Sequence, residues 1–176
     1  MQGAIQKKLV SSQKEFLMNS FRKNILHPFK FKLFTLSKLP LAFVAGLRVN
    51  DISDSQSVVS IKHNYFTKNP FRSMYFASQA MAAELSTGVL VMDAVQQAKP
   101  RNISMLVLNM EADFSKKATG RISFTCKDGA KIDDAIQTVL STNKGETIEL
   151  KSVGKNEQNE VVSTFKFTWT LKEKTK

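Results

Sequence analysis

The chain has 176 residues, 42% of them hydrophobic and 23% charged, a balance that excludes an intrinsically disordered polymer. A chain of that length suits one domain, which buries roughly 70% of its unfolded surface. One cysteine, Cys126, excludes an internal disulfide, and the net charge of +11 is concentrated at one end: residues 1–48 hold nine Lys or Arg against a single acid, Glu15.

From the N-terminus, Ile5, Leu9, Phe16, Leu17, Phe21 and Ile25 recur mostly at three- to four-residue spacing, with basic residues between them. This predicts an amphipathic helix over residues 4–26. It breaks at His27-Pro28, because a proline disfavours helix in the residue before it. From Phe29 to Leu39 aromatic and aliphatic residues alternate with lysines, which reads as a basic connector that caps the core or lies on a membrane surface, with capping favoured. Gly46 to Val49 is a short extended run, followed by a polar turn over residues 50–54. Val58 to Tyr65 has strand periodicity, with Val59, Ile61, His63 and Tyr65 on one face.

Residues 73–97 form the one long predicted helix, with Ser73 as N-cap and Pro100 just past its end. Apolar and small residues run almost all the way round it, so it must be buried on most sides. Glu84 is the lone charge between residues 73 and 92. After Pro100 the period returns to two. Ile103 to Met110 is apolar on both faces, which predicts a central strand covered on two sides. Arg121 to Lys127 alternates, with Ile122, Phe124 and Cys126 inward. Ile132, Ile136, Val139 and Leu140 have helical spacing, and Ile148 to Val153 is extended. Val161 to Leu171 alternates most clearly, placing Ser163, Phe165, Phe167, Trp169 and Leu171 together.

The order predicts an α+β fold: a curved antiparallel sheet wrapped around a long central helix, preceded by an N-terminal helix. The expected organisation is an amphipathic helix and basic connector over residues 1–35, then one domain over residues 36–176.

That architecture resembles the hotdog fold of acyl-CoA thioesterases and acyl-carrier dehydratases. In small bacterial thioesterases of the phenylacetyl-CoA type, an asparagine and a His-Gly-Gly precede the central helix. An acid follows on the helix, fifteen residues after the asparagine. Here Asn69 and Glu84 have that separation, and Tyr75-Phe76-Ala77 stands at the His-Gly-Gly position. The runs LPLAFVAGLRV, KNPFRSMYFASQAMAAELSTGVLVM and EVVSTFKFTWTLK resemble an uncharacterised branch of that superfamily, over about residues 36–173. The resemblance implies Glu84 and Asn69 as catalytic residues. It implies Tyr75, Phe76 and Ala77 at the thioester carbonyl, an acyl-CoA substrate, and a homodimer or homotetramer.

The chemistry of the residues fits that implication. A carboxylate buried in an apolar helix has a raised pKa and can serve as a general base. The helix N-terminus offers free N–H groups to an oxyanion. Arg72 is placed to take a coenzyme A phosphate, or is an exposed loop arginine. No cofactor is expected beyond the coenzyme A of the substrate. Two histidines and one cysteine make no zinc set, and no metal is expected. His63 and Cys126 read as core groups. A non-catalytic acyl-CoA or acyl-chain binder is the alternative. A second alternative is nucleic-acid or membrane-surface binding through the basic arm, with nucleic acid disfavoured because the ribonucleoprotein aromatic motif is absent. No signal or membrane-spanning run is legible, so a cytoplasmic protein is expected.

Overall fold

The computed structural model describes residues 20–174. Residues 20–26 are helical and are called α1; the rest of the helix expected over 4–26 lies outside the described residues. The expected connector is instead two helices, α2 (Pro28–Lys38) and α3 (Pro40–Ala45). Pro28 and Pro40 each open a helix, where the missing N–H and fixed φ are tolerated. The alternation misled because α2 is apolar on two faces. Phe31 turns inward, while Phe29, Leu33 and Leu36 stay outside. Gly46, at φ 73°, ends α3 in the left-handed conformation that favours glycine.

Strand β1 (Arg48–Ile52) runs through much of the expected turn. The reversal narrows to residues 53–56, closed by the Ser53 N–H donating to the Gln56 carbonyl at 2.8 Å. Strand β2 (Ser57–Lys62) stops before His63 and Tyr65, so neither shares its buried face. The long helix α4 spans Phe76–Gln97 and begins three residues later than expected. Ser73 is not its N-cap. A bridge between Lys68 and Met74 keeps the chain extended, and Tyr75 holds the N-cap position with no side-chain hydrogen bond. There follow β3 (Ile103–Phe114), β4 (Arg121–Cys126), α5 (Gly129–Thr142), β5 (Glu146–Lys155) and β6 (Val161–Glu173).

The six strands form one sheet in the order β1-β2-β4-β5-β6-β3, every pair antiparallel. Helix α4 packs against β2, β4, β5 and β6, four of its six strands. Small residues let it approach closely. The Ser57 hydroxyl donates to the Ser86 carbonyl, and the Ser86 and Ser152 hydroxyls meet at 2.7 Å, all three residues buried. The predicted inward set of β6, from Ser163 to Leu171, is buried throughout.

One strand departs from its expected place. β3 pairs only with β6 and is an edge of the sheet, not a central strand. A bulge between Val107 and Asn109 carries Leu108 out of register, and Leu106 and Leu108 are 63% and 58% exposed. Among the described residues no layer covers its second apolar face.

Candidate functional site

Glu84 sits two turns into α4. It lines a cleft of about 290 Å³ with Leu39, Pro40, Leu41, Met81 and Leu85. Helix α3 thus supplies one wall and α4 the other. Burial pushes the Glu84 carboxyl above its ordinary pKa, and among the described residues no hydrogen-bond donor or cation offsets it. The side chain leans toward the helix C-terminus: a Cβ at Gly88 would sit 3.5 Å from Glu84 Oε1 and 3.2 Å from the Trp169 ring. Gly88 is what leaves room for both. Trp169 is fixed there by its indole N–H, which donates to Thr87 Oγ1 at 3.1 Å.

The helix start builds a second, larger cleft of about 580 Å³, lined by Asn69, Phe71, Tyr75, Phe76, Lys116 and Lys117 among others. The Ser78 and Gln79 amides donate to the Tyr75 carbonyl. Those of Phe76 and Ala77 have no backbone acceptor among the described residues, as the geometry of a helix N-terminus requires. Tyr75 and Phe76 meet edge to face at 4.7 Å, both half exposed.

Asn69 folds the loop that leads into the helix. Its Oδ1 accepts from the Phe71 amide at 2.9 Å and the Ser73 amide at 3.2 Å, and its Nδ2 donates to Ser73 Oγ at 3.1 Å. Arg72 is exposed at φ 60°, an uncommon conformation for a side-chain-bearing residue, held by this loop. Sequence reasoning missed Gln79. It is buried, takes a 2.8 Å hydrogen bond from Ser163 Oγ and donates to the Met74 carbonyl, tying the helix start to β6. It missed Lys116 and Lys117 as well, because the β3–β4 loop meets the helix start only in three dimensions.

The structure therefore brings Asn69, Tyr75, Phe76 and Ala77 together and leaves Glu84 apart. Eight residues of helix separate Phe76 from Glu84, about 12 Å of rise, and the carboxylate leans further away. A water activated by Glu84 does not reach a carbonyl held at the helix start of the same chain.

The remaining candidates take quiet places. Cys126 is fully buried, and burial pushes its thiol up to about 11. His63 is half-buried beside the end of β2, its amide donating to the Gly120 carbonyl at 2.7 Å. It is not the core histidine of the sequence reading. Among the described residues no group of three His, Cys, Asp or Glu is arranged to hold a metal ion.

Residues 29–171 match the family described as Domain of unknown function (DUF4442). The chain belongs to that family. Comparison with curated proteins finds no match for this DUF4442 chain. Among solved structures it is similar to a Pseudomonas aeruginosa protein of unknown function described as a probable thioesterase. The TM-score is 0.71 at 20% identity, over 86% of this chain and 99% of that one. It is also similar to a thioesterase from Haemophilus influenzae, with TM-score 0.59 and 10% identity over 80% of this chain and 88% of that one. A thioesterase enzyme from Staphylococcus aureus gives TM-score 0.59 and 16% identity, over 76% and 98%. At such identities the shared property is the fold, and it is the hotdog fold.

Proposed function

We propose that this DUF4442 chain is an acyl-CoA thioester hydrolase whose site is completed between two copies of the chain. The observation that carries the reading is that one helix holds a desolvated Glu84 and two helix-start amides, each without a partner among the described residues and too far apart to act within one chain. Two copies related by a twofold axis perpendicular to α4 would set the helices antiparallel, so that Glu84 of each faces the helix start of the other.

In this scheme the thioester carbonyl lies against the Phe76 and Ala77 amides. Glu84 of the second copy takes a proton from water, and the resulting hydroxide attacks the carbonyl carbon. The amides hold the oxyanion. Collapse breaks the C–S bond, and the departing thiolate takes the proton back from Glu84, leaving a free acid and coenzyme A. Asn69 is a positioning residue that shapes the loop. Lys117, which lines the helix-start cleft, and Arg72, on the loop before the helix, are the cations offered to the phosphates. Strand β3 supports the twofold arrangement: its unpaired edge and exposed Leu106 and Leu108 suit edge-to-edge pairing with a second copy. With one free, buried cysteine, we assign the protein to the reducing cytoplasm.

Glu84→Gln tests the scheme. It is expected to lower turnover of every accepted acyl-CoA by about 10²–10⁴ while leaving KM little changed. Undiminished turnover sinks the mechanism. The second reading is an acyl-CoA binder without hydrolysis. It is favoured by the Tyr75 and Phe76 rings, which crowd the helix start. A panel of thioesters that bind, shift the melting temperature and are never cleaved establishes it instead.

A further inference from the structure

The outer surface of α2 and α3 is rich in exposed apolar side chains. Phe29, Leu33 and Leu36 follow one another at spacings of four and three, one helical stripe on α2, and Leu41 and Val44 on α3 are exposed as well. Phe29, Leu33, Leu36 and Leu41 are 72%, 59%, 52% and 73% exposed. Their inward neighbours Phe31, Thr35, Ala42 and Ala45 already anchor the two helices to the body. Among the described residues nothing covers the outward side chains, and exposed apolar side chains in such number mark an interaction surface.

Its electrostatics name the partner. Residues 20–50 contain six Lys or Arg and no Asp or Glu. Lys23, Lys30, Lys32 and Lys38 are exposed around the stripe, and among the described residues none of them is paired with a carboxylate. A second copy of the same face would set these cations against each other, which disfavours self-pairing. Aromatic and leucine side chains ringed by unpaired lysines match a surface that is apolar beneath and anionic on top. We propose that α2 and α3 dock the protein on an anionic lipid surface, the stripe entering the acyl boundary and the lysines meeting the headgroup phosphates. No described helix is long and apolar enough to cross a membrane, so this is attachment in the plane of the interface. The placement has a geometric corollary. Lys38, Leu39 and Leu41 also frame the Glu84 cleft, so the docked face and the mouth of that cleft adjoin. The docking itself does not depend on catalysis.

The experiment is co-sedimentation of the full chain with phosphatidylcholine vesicles, with and without phosphatidylglycerol. The wild type is expected to pellet with the anionic vesicles, and less so as salt rises. A triple variant, Phe29→Ser with Leu33→Ser and Leu41→Ser, and a charge variant, Lys30→Glu with Lys32→Glu, are each expected to weaken partitioning about tenfold or more. Circular dichroism checks that each is folded; should the triple variant unfold, Leu41→Ser and the charge variant carry the test. Four results overturn the proposal. They are no vesicle binding by the wild type, equal binding to both vesicle types, binding unchanged in the variants, or release of the wild type from vesicles by competing RNA. A change of oligomeric state in the triple variant also overturns it, by naming a second copy as the occupant.

Discussion

Arg22 on α1 clasps Asp93 on α4, its Nε and Nη2 donating to the same carboxylate oxygen at 3.0 and 2.6 Å. Asp93 is 1% exposed, and its other oxygen, Oδ1, is buried with no hydrogen-bond partner among the described residues. Burial pushes its pKa up by more than Arg22 and Gln97 draw it down. This ion pair fastens the N-terminal helix to the central one. Arg22→Met is expected to cost about 3–5 kcal/mol at pH 7, because it strands a buried carboxylate. A carboxyl raised in the folded state stabilises below its unfolded pKa, and that contribution is lost as pH rises through the folded value. The variant raises Asp93 further. Urea unfolding at pH 7 and pH 5 should therefore show the deficit shrinking in acid. A deficit that grows in acid contradicts this assignment.

Glu84 follows the same sign, and among the described residues no cation or donor opposes the burial. With burial alone raising its pKa, its stabilising share is complete below the unfolded pKa and fades as pH rises through the folded one. Glu84→Gln keeps the shape and removes the charge. The variant is expected to melt above the wild type at neutral pH and to converge with it near pH 4. The wild-type kcat/KM should fall in acid with a midpoint above the ordinary glutamate range. Scanning calorimetry and a pH–rate profile check the two halves separately.

The twofold arrangement makes its own demand on β3. Lysine on an edge strand is a natural block to pairing. Leu106→Lys with Leu108→Lys is expected to convert a wild-type dimer to a monomer in sedimentation velocity, with helix content unchanged. A wild type that is monomeric at every concentration removes the arrangement altogether.

Much of this was legible in the sequence. Trp169, Phe167 and Phe165 alternate on a strand with one buried face, where period and burial coincide, so β6 could be read directly. The all-round apolarity of α4 likewise reported its burial. The failures share a cause: the pattern records whether a face is covered, not by what. β3 is apolar on both faces yet lies at the sheet edge, so its apolarity implied a cover that the described residues do not supply. α2 is apolar on two faces too, and its pattern imitated an extended connector. In the site, the fifteen-residue spacing of Asn69 and Glu84 located both residues but not their separation, because an extended loop and two helical turns lie between them. Arg22 and Asp93 were invisible, being 71 residues apart with nothing local to link them.

The central claim is that Glu84 of one copy works with the helix start of another, and a hybrid assay measures this directly. Phe76→Pro deletes the Phe76 N–H at a helix-opening position that accepts proline, next to Tyr75 at ψ 138°, and Phe76→Ala is the control that keeps the amide. Phe76→Pro and Glu84→Gln are each expected to be nearly inactive. Co-unfolded and refolded in equal amounts, they form hybrids holding one intact site of two, and about a quarter of wild-type turnover should return. If the wild type turns over and the refolded mixture stays as inactive as its components, the site is not shared between copies and the account is wrong.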